Sequence, residues 1–131
     1  MLKRLHSFIA NLRSGSDSRA RITISIQDTG FQLLQDGQRP EVAKCFQWQE
    51  VTTAIAYKRD CFSVDLICMA IANELTAIEV NEEDAGWEAF IRAVETKLPG
   101  SVPIGDWWPV VSQPPFSTNQ TTVYCKQQQL S

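Results

Sequence analysis

Six carboxylates, Asp60, Asp65, Glu79, Glu82, Glu83 and Asp84, fall close together in the chain. If two of them met in space, they could bind a hard cation or share a proton, the chemistry of a divergent metal-dependent hydrolase. The spacing argues otherwise, because the run lacks the ladder of Asp or Asn ligands around a glycine that builds a calcium loop. Three consecutive acids ahead of an amphipathic segment suit the positive end of a helix dipole. Nucleophilic catalysis has less support still. The chain has one histidine, His6, and neither a Gly-x-Ser-x-Gly elbow nor a cysteine–histidine arrangement. Cys45, Cys61, Cys68 and Cys125 form no Cys-x-x-Cys pair, so a nitrogen–sulfur metal site is not expected and the thiols read as structural. Glycines stand singly, without a phosphate-cradling loop. These observations point to a protein that is not an enzyme and carries neither metal nor cofactor.

A second constellation reads as recognition rather than catalysis. Tyr57, Lys58, Arg59, Asp60 and Asp65 sit in and around an expected turn between two apolar strands, where turn geometry alone would ask only for small polar residues. Arg59 could pair with Asp60 or Asp65 across the turn and fix the hairpin. The same charges could meet a protein partner. Lys58 and Arg59 also admit an anionic lipid headgroup, although two basic residues beside two acids offer little at roughly 1 kcal/mol each. Glu82 and Glu83 extend the charged surface. Trp107 and Trp108, followed by Pro109, Pro114 and Pro115, concentrate apolar bulk where regular helix is not expected. That pair either packs over the end of a barrel or forms a partner or homodimer contact, since tryptophan is enriched at binding hot spots.

The elements that must position these residues follow from hydrophobic period. Leu2, Leu5, Ile9 and Leu12 share one face of a short N-terminal helix, which Ser14-Gly-Ser-Asp-Ser18 links to the rest; helix and linker occupy residues 1–20. That helix packs on the domain or serves a membrane surface. From residue 22 the period becomes two. Ile22, Ile24 and Ile26 alternate with polar residues, Asp28-Thr-Gly30 turns the chain, and Phe31 begins the returning strand. A third short strand spans residues 42–46. In a fourth, Val51, Thr53, Ile55 and Tyr57 share a face. A fifth, over residues 64–71, is apolar on both faces and therefore central. A sixth spans residues 75–80. Glu83 or Asp84 should begin an amphipathic helix carrying Trp87, Phe90, Ile91, Val94 and Leu98 on one stripe, with a Glu88–Arg92 pair, ended by Pro99-Gly100. Thr121-Thr-Val-Tyr124 reads as a last strand, and residues 127–131 as a disordered tail.

This order implies an α+β fold: a bent antiparallel sheet or open barrel of about six to seven strands, plugged by one amphipathic helix. It is the plan of the pleckstrin-homology superfold. Residues 48–65, the passage Ile78-Glu-Val-Asn-Glu-Glu83, Gly86, Trp107-Trp108 and Pro115-Phe116-Ser-Thr-Asn119-Gln-Thr-Thr-Val-Tyr124 resemble a group of short bacterial proteins of pleckstrin-homology-like appearance. The resemblance covers residues 21–126, the expected single domain. Some bacterial proteins of similar construction look like immunity proteins that neutralise a toxin, which the resemblance implies as a role without assigning residues.

Composition narrows the classes further. At 131 residues the chain suits one domain, and no apolar run approaches the roughly 20 residues of a membrane-spanning helix. Net charge is −3, with the basic excess before residue 60 and the acidic excess after it. This asymmetry suits a charged protein partner better than nucleic acid, which would call for a concentrated basic face. Without a disulfide framework or a convincing secretion signal, a cytoplasmic location is expected. The reading is a non-enzymatic protein-interaction module whose concrete version neutralises a toxin. The alternatives are a membrane-peripheral lipid-binding adaptor and the metal-dependent hydrolase.

Overall fold

The computed structural model describes residues 22–35, 39, 44–60, 65–113 and 119–126. The expected N-terminal helix and linker, residues 36–38 and 40–43, the expected tip of the charged hairpin, residues 114–118 and the expected C-terminal tail therefore lie outside the described residues. Within them the chain forms seven antiparallel strands in two sheets, followed or interrupted by two α-helices. This is the α+β class expected. Strands β1 (Ile22–Ile26), β2 (Gly30–Gln35) and β3 (Lys44–Gln47) make the first sheet in that order. Strands β4 (Thr53–Asp60), β5 (Asp65–Ala72), β6 (Ala77–Asn81) and β7 (Gln120–Cys125) make the second, ordered β6-β5-β4-β7. Two sheets stand where one bent sheet was expected, and they do not close into a barrel.

The first sheet shows why alternation is legible. Ile24 pairs with Leu33, Ile26 with Phe31 and Phe31 with Phe46, so these residues share the core face while Thr23 and Ser25 face solvent. Gln27 and Gly30 exchange backbone hydrogen bonds to close the β1–β2 hairpin. A 3₁₀ turn, Trp48–Glu50, then carries the chain across to the second sheet. Trp48 packs its ring 5.0 Å from that of Phe31 and donates its indole N–H to the Gln27 carbonyl.

Helix α1 (Trp87–Lys97) and helix α2 (Ile104–Ser112) lie on the inner side of both sheets. Trp87, Phe90, Ile91 and Val94 form the expected stripe, with Phe90 wedged edge-on against Phe31 at 5.1 Å. Full burial of each such side chain contributes roughly 1.5–3 kcal/mol. Helix α1 starts at Trp87 and not at Glu83 or Asp84, because Gly86 at φ 90° precedes it as N-cap. There the chain meets β1: Ile24 donates to the Ala85 carbonyl and Ala85 to that of Ile22, a parallel bridge tying the two sheets together. A Cβ on Gly86 would stand 2.3 Å from the Ile24 carbonyl oxygen, so only glycine fits.

Helix α2 corrects the expectation of an irregular segment at Trp107-Trp108. Pro109 lies inside it, yet the helix persists because Trp107 and Val111 are buried in the common core. Its ends are satisfied from elsewhere in the fold. Glu95 of α1 accepts from the Ile104 N–H at the N-terminus, and Lys58 of β4 donates to the Ser112 carbonyl at the C-terminus. Each charge matches the helix dipole end it meets. Together α1 and α2 replace the single plug expected.

Candidate functional site

Strand β4 places its successive side chains on opposite faces of the second sheet. Ala54, Ala56 and Lys58 point to the inner core; Thr53, Ile55 and Tyr57 point outward, while Val51, expected beside them, belongs to the inner core. Lys58 is only 1% exposed, its stem enclosed and its ammonium on the α2 terminus at 3.2 Å. It lies within the strand rather than in a turn, because β4 pairs with β5 as far as Asp60 opposite Asp65.

Tyr57 is wholly buried on the outer face and donates to Glu79 Oε1 at 2.8 Å. Arg59 Nη1 bonds Glu79 Oε2 at 3.1 Å, so both carboxylate oxygens have partners. Burial first, and the adjacent Glu79 charge second, push the Tyr57 hydroxyl far above the usual tyrosine range, so it stays a donor. Arg59 therefore pairs with β6, two strands from its own across β5; the side chains of Asp60 and Asp65, its expected partners, lie outside the described residues. The trio is a structural lock: a neutral phenol and a guanidinium satisfy one buried acid.

The acidic run between β6 and α1 is built as a turn. The Asn81 N–H donates to Asp84 Oδ2, the Glu83 N–H to Asn81 Oδ1, and the Asp84 N–H to the Asn81 carbonyl. Glu82 prolongs the β5–β6 ladder, its N–H donating to the Ile67 carbonyl and its Oε1 accepting from the Ile67 N–H. Asp84 is buried, while Glu82 and Glu83 are exposed. Turn hydrogen bonds, more than the helix dipole, account for these residues.

Beside that turn, the first turns of α1 and α2 line an open groove of about 810 Å³. Ile91, Ile104 and the half-buried Trp108 give it an apolar lining; Glu82, Glu88 and Arg92 are exposed charges around it, and Ala89 leaves room between them. Trp107 faces the core 5.7 Å away from its neighbour's ring. The tandem tryptophans thus divide, one into the core and one onto the groove.

The structure brings Glu82 and Trp108 together at the groove, whereas Tyr57, Lys58 and Arg59, on strand β4, do not line it. Burial removes Tyr57 and Lys58 from any contact surface, a correction to their expected role in recognition. Glu83 is exposed on the turn, and the side chains of Asp60 and Asp65 lie outside the described residues. Sequence reasoning missed Ile91, Ile104, Ala89 and Arg92 as groove residues. The period of α1 had assigned Ile91 wholly to the core, and the signal for α2 was hidden by Pro109. Among the described residues, no three His, Cys, Asp or Glu side chains are grouped to hold a metal ion. No described helix is long and apolar enough to cross a membrane. The chain matches no protein-family model, no curated protein and no solved structure.

Proposed function

We propose that the protein is a non-enzymatic binding module that receives a basic segment of another protein, anchored by a bulky apolar side chain, in the α1–α2 groove. The observation that carries this is Trp108, half-buried between Ile91 and Ile104, with Glu82 and Glu88 at the groove's edge. The groove volume suits a few side chains. Aromatic anchors supply affinity, and acidic neighbours supply steering and orientation. Arg92 can donate to a partner's backbone carbonyl. Lys58 and Arg59 are engaged within the fold, which favours a protein partner over a lipid headgroup.

The antiparallel strand order ahead of α1 supports a pleckstrin-homology-like identity; the presence of α2 and of a strand after it are departures from a sheet plugged by one helix. Toxin neutralisation is the most concrete version of the reading. A toxin that works on a polyanion presents a basic surface, and an acidic groove would cover it. Selection of ligands from a random peptide library on the full-length protein tests the groove. Enriched peptides should combine Lys or Arg with one bulky apolar residue, and Ala89→Arg should weaken them at least about tenfold by occupying the groove. Peptides without basic residues, or binding unaffected by Ala89→Arg, would contradict it.

A further inference from the structure

The α1–α2 groove has unlike charges along α1. Glu82 and Glu88, both exposed and acidic, border it where the β6–α1 turn leads into the helix, and Arg92 borders it one helical turn later. Residues 88 and 92 lie about 6 Å apart along the axis at 1.5 Å per residue, the reach of about two residues of extended peptide. Ile91, Ile104 and Trp108 supply the apolar lining. A ligand in the groove therefore meets carboxylates and a guanidinium as well as an apolar wall.

Lys58, Arg59 and Lys126 direct their charge within the chain, at the Ser112 carbonyl, the Glu79 carboxylate and the Gln49 carbonyl. Arg92 is exposed on the groove instead, and among the described residues no carboxylate pairs with it. Glu95, three residues further along α1, is occupied by α2: its Oε1 accepts from the Ile104 N–H at 3.0 Å. Glu88, four residues earlier, is the neighbour expected to pair with Arg92. An exposed pair at that spacing is weak and gives way to a ligand that meets both charges.

A guanidinium is a planar fork of five donors. A single carbonyl uses part of that fork, whereas a carboxylate takes two parallel, charge-assisted bonds from it. Arg92 thus matches an acidic side chain better than bare backbone. We infer that Arg92 determines the specificity of the groove: the ligand is a segment whose bulky apolar residue lies between a basic residue, met by Glu82 and Glu88, and an acidic residue, met by Arg92. The inference rests on the proposed binding role of the groove and narrows the segment it takes, from one that is basic to one that carries both charges in a fixed arrangement.

The test titrates the full-length protein with two peptides that share Ser-Gly flanks and differ in a core of Arg-Phe-Glu or Arg-Phe-Gln, both acetylated and amidated so that their termini carry no charge. Wild type should bind the glutamate peptide about threefold to fivefold more tightly than the glutamine peptide. Arg92→Gln, a change at an exposed position, should bind the two alike and keep the wild-type affinity for the glutamine peptide. Arg92→Glu should prefer the glutamine peptide. Unaltered urea midpoints for the two variants show that the fold is kept. Equal binding of the two peptides by wild type overturns the inference and leaves the preference for a basic segment standing. A glutamate preference that survives in Arg92→Gln also overturns it, because another group would then be reading the acid. If wild type binds neither peptide, the binding role of the groove fails, and this inference fails with it.

Discussion

At the scale of single residues, the fold spends its charged groups on internal work. Glu79 holds Tyr57 and Arg59, Lys58 holds the end of α2, and Asp84 holds the turn before α1. The Tyr57 hydroxyl gives a pH signature whose sign follows from its raised folded-state pKa. In the unfolded chain a tyrosine ionises near pH 10, and in the folded chain it remains protonated well above that. Stability is therefore complete below about pH 10 and falls as pH rises beyond it, by about 1.4 kcal/mol per pH unit for each such group. Tyr124, raised by partial burial, adds to the fall. Denaturant titrations from pH 9 to 11.5 should show Tyr57→Phe less stable than wild type at pH 8 by about 1–3 kcal/mol, the loss of one donor to a buried acid. The same variant should show a shallower decline above pH 10. Parallel declines would show that Tyr57 is not the group responsible.

At the scale of elements, α2 is the part least legible in the sequence, and the reason is physical. Its capping groups are far away in the chain: Glu95 nine residues before its start at Ile104, and Lys58 54 residues before Ser112. Local reading sees only Pro109 and two tryptophans. By contrast, the stripe of α1, the alternation of β1 and the two-faced character of β5 depend on neighbours a few residues apart, and these were readable. The engagement of Lys58 and Arg59 inside the fold was not, because it rests on Ser112 and Glu79, far away in the chain. The capping role of Lys58 predicts different outcomes for two substitutions. Lys58→Met keeps the buried stem and loses the cap, and should cost about 1–2 kcal/mol. Lys58→Glu buries an uncompensated acid against a helix C-terminus and should cost roughly 3–5 kcal/mol. Urea unfolding of the two variants distinguishes this role from a surface one, for which both substitutions would be nearly neutral.

At the scale of the whole molecule, the two sheets and two helices share one core, tied together where Ala85 meets β1, and the groove lies just beyond that tie. The acidic excess of the second half of the chain, visible in composition, thus becomes local: Glu82 and Glu88 stand beside the aromatic anchor. The groove itself could not be read from sequence, because it is lined by residues of both α1 and α2, brought together only by the fold. What was readable, an acidic surface near a tryptophan pair, still named two of its residues, Glu82 and Trp108. Glu88 is exposed on α1, with room for a charge reversal that leaves the core untouched, whereas Glu82 also bonds the Ile67 backbone. The most direct measurement is a tryptophan-emission titration of wild type and Glu88→Lys with two short peptides that share an apolar anchor and carry opposite charges. Wild type should prefer the basic peptide, and Glu88→Lys should weaken that peptide about fivefold to tenfold, tighten the acidic one, and lessen both effects at high salt. If the two proteins bound either peptide alike, the groove would not be the recognition surface.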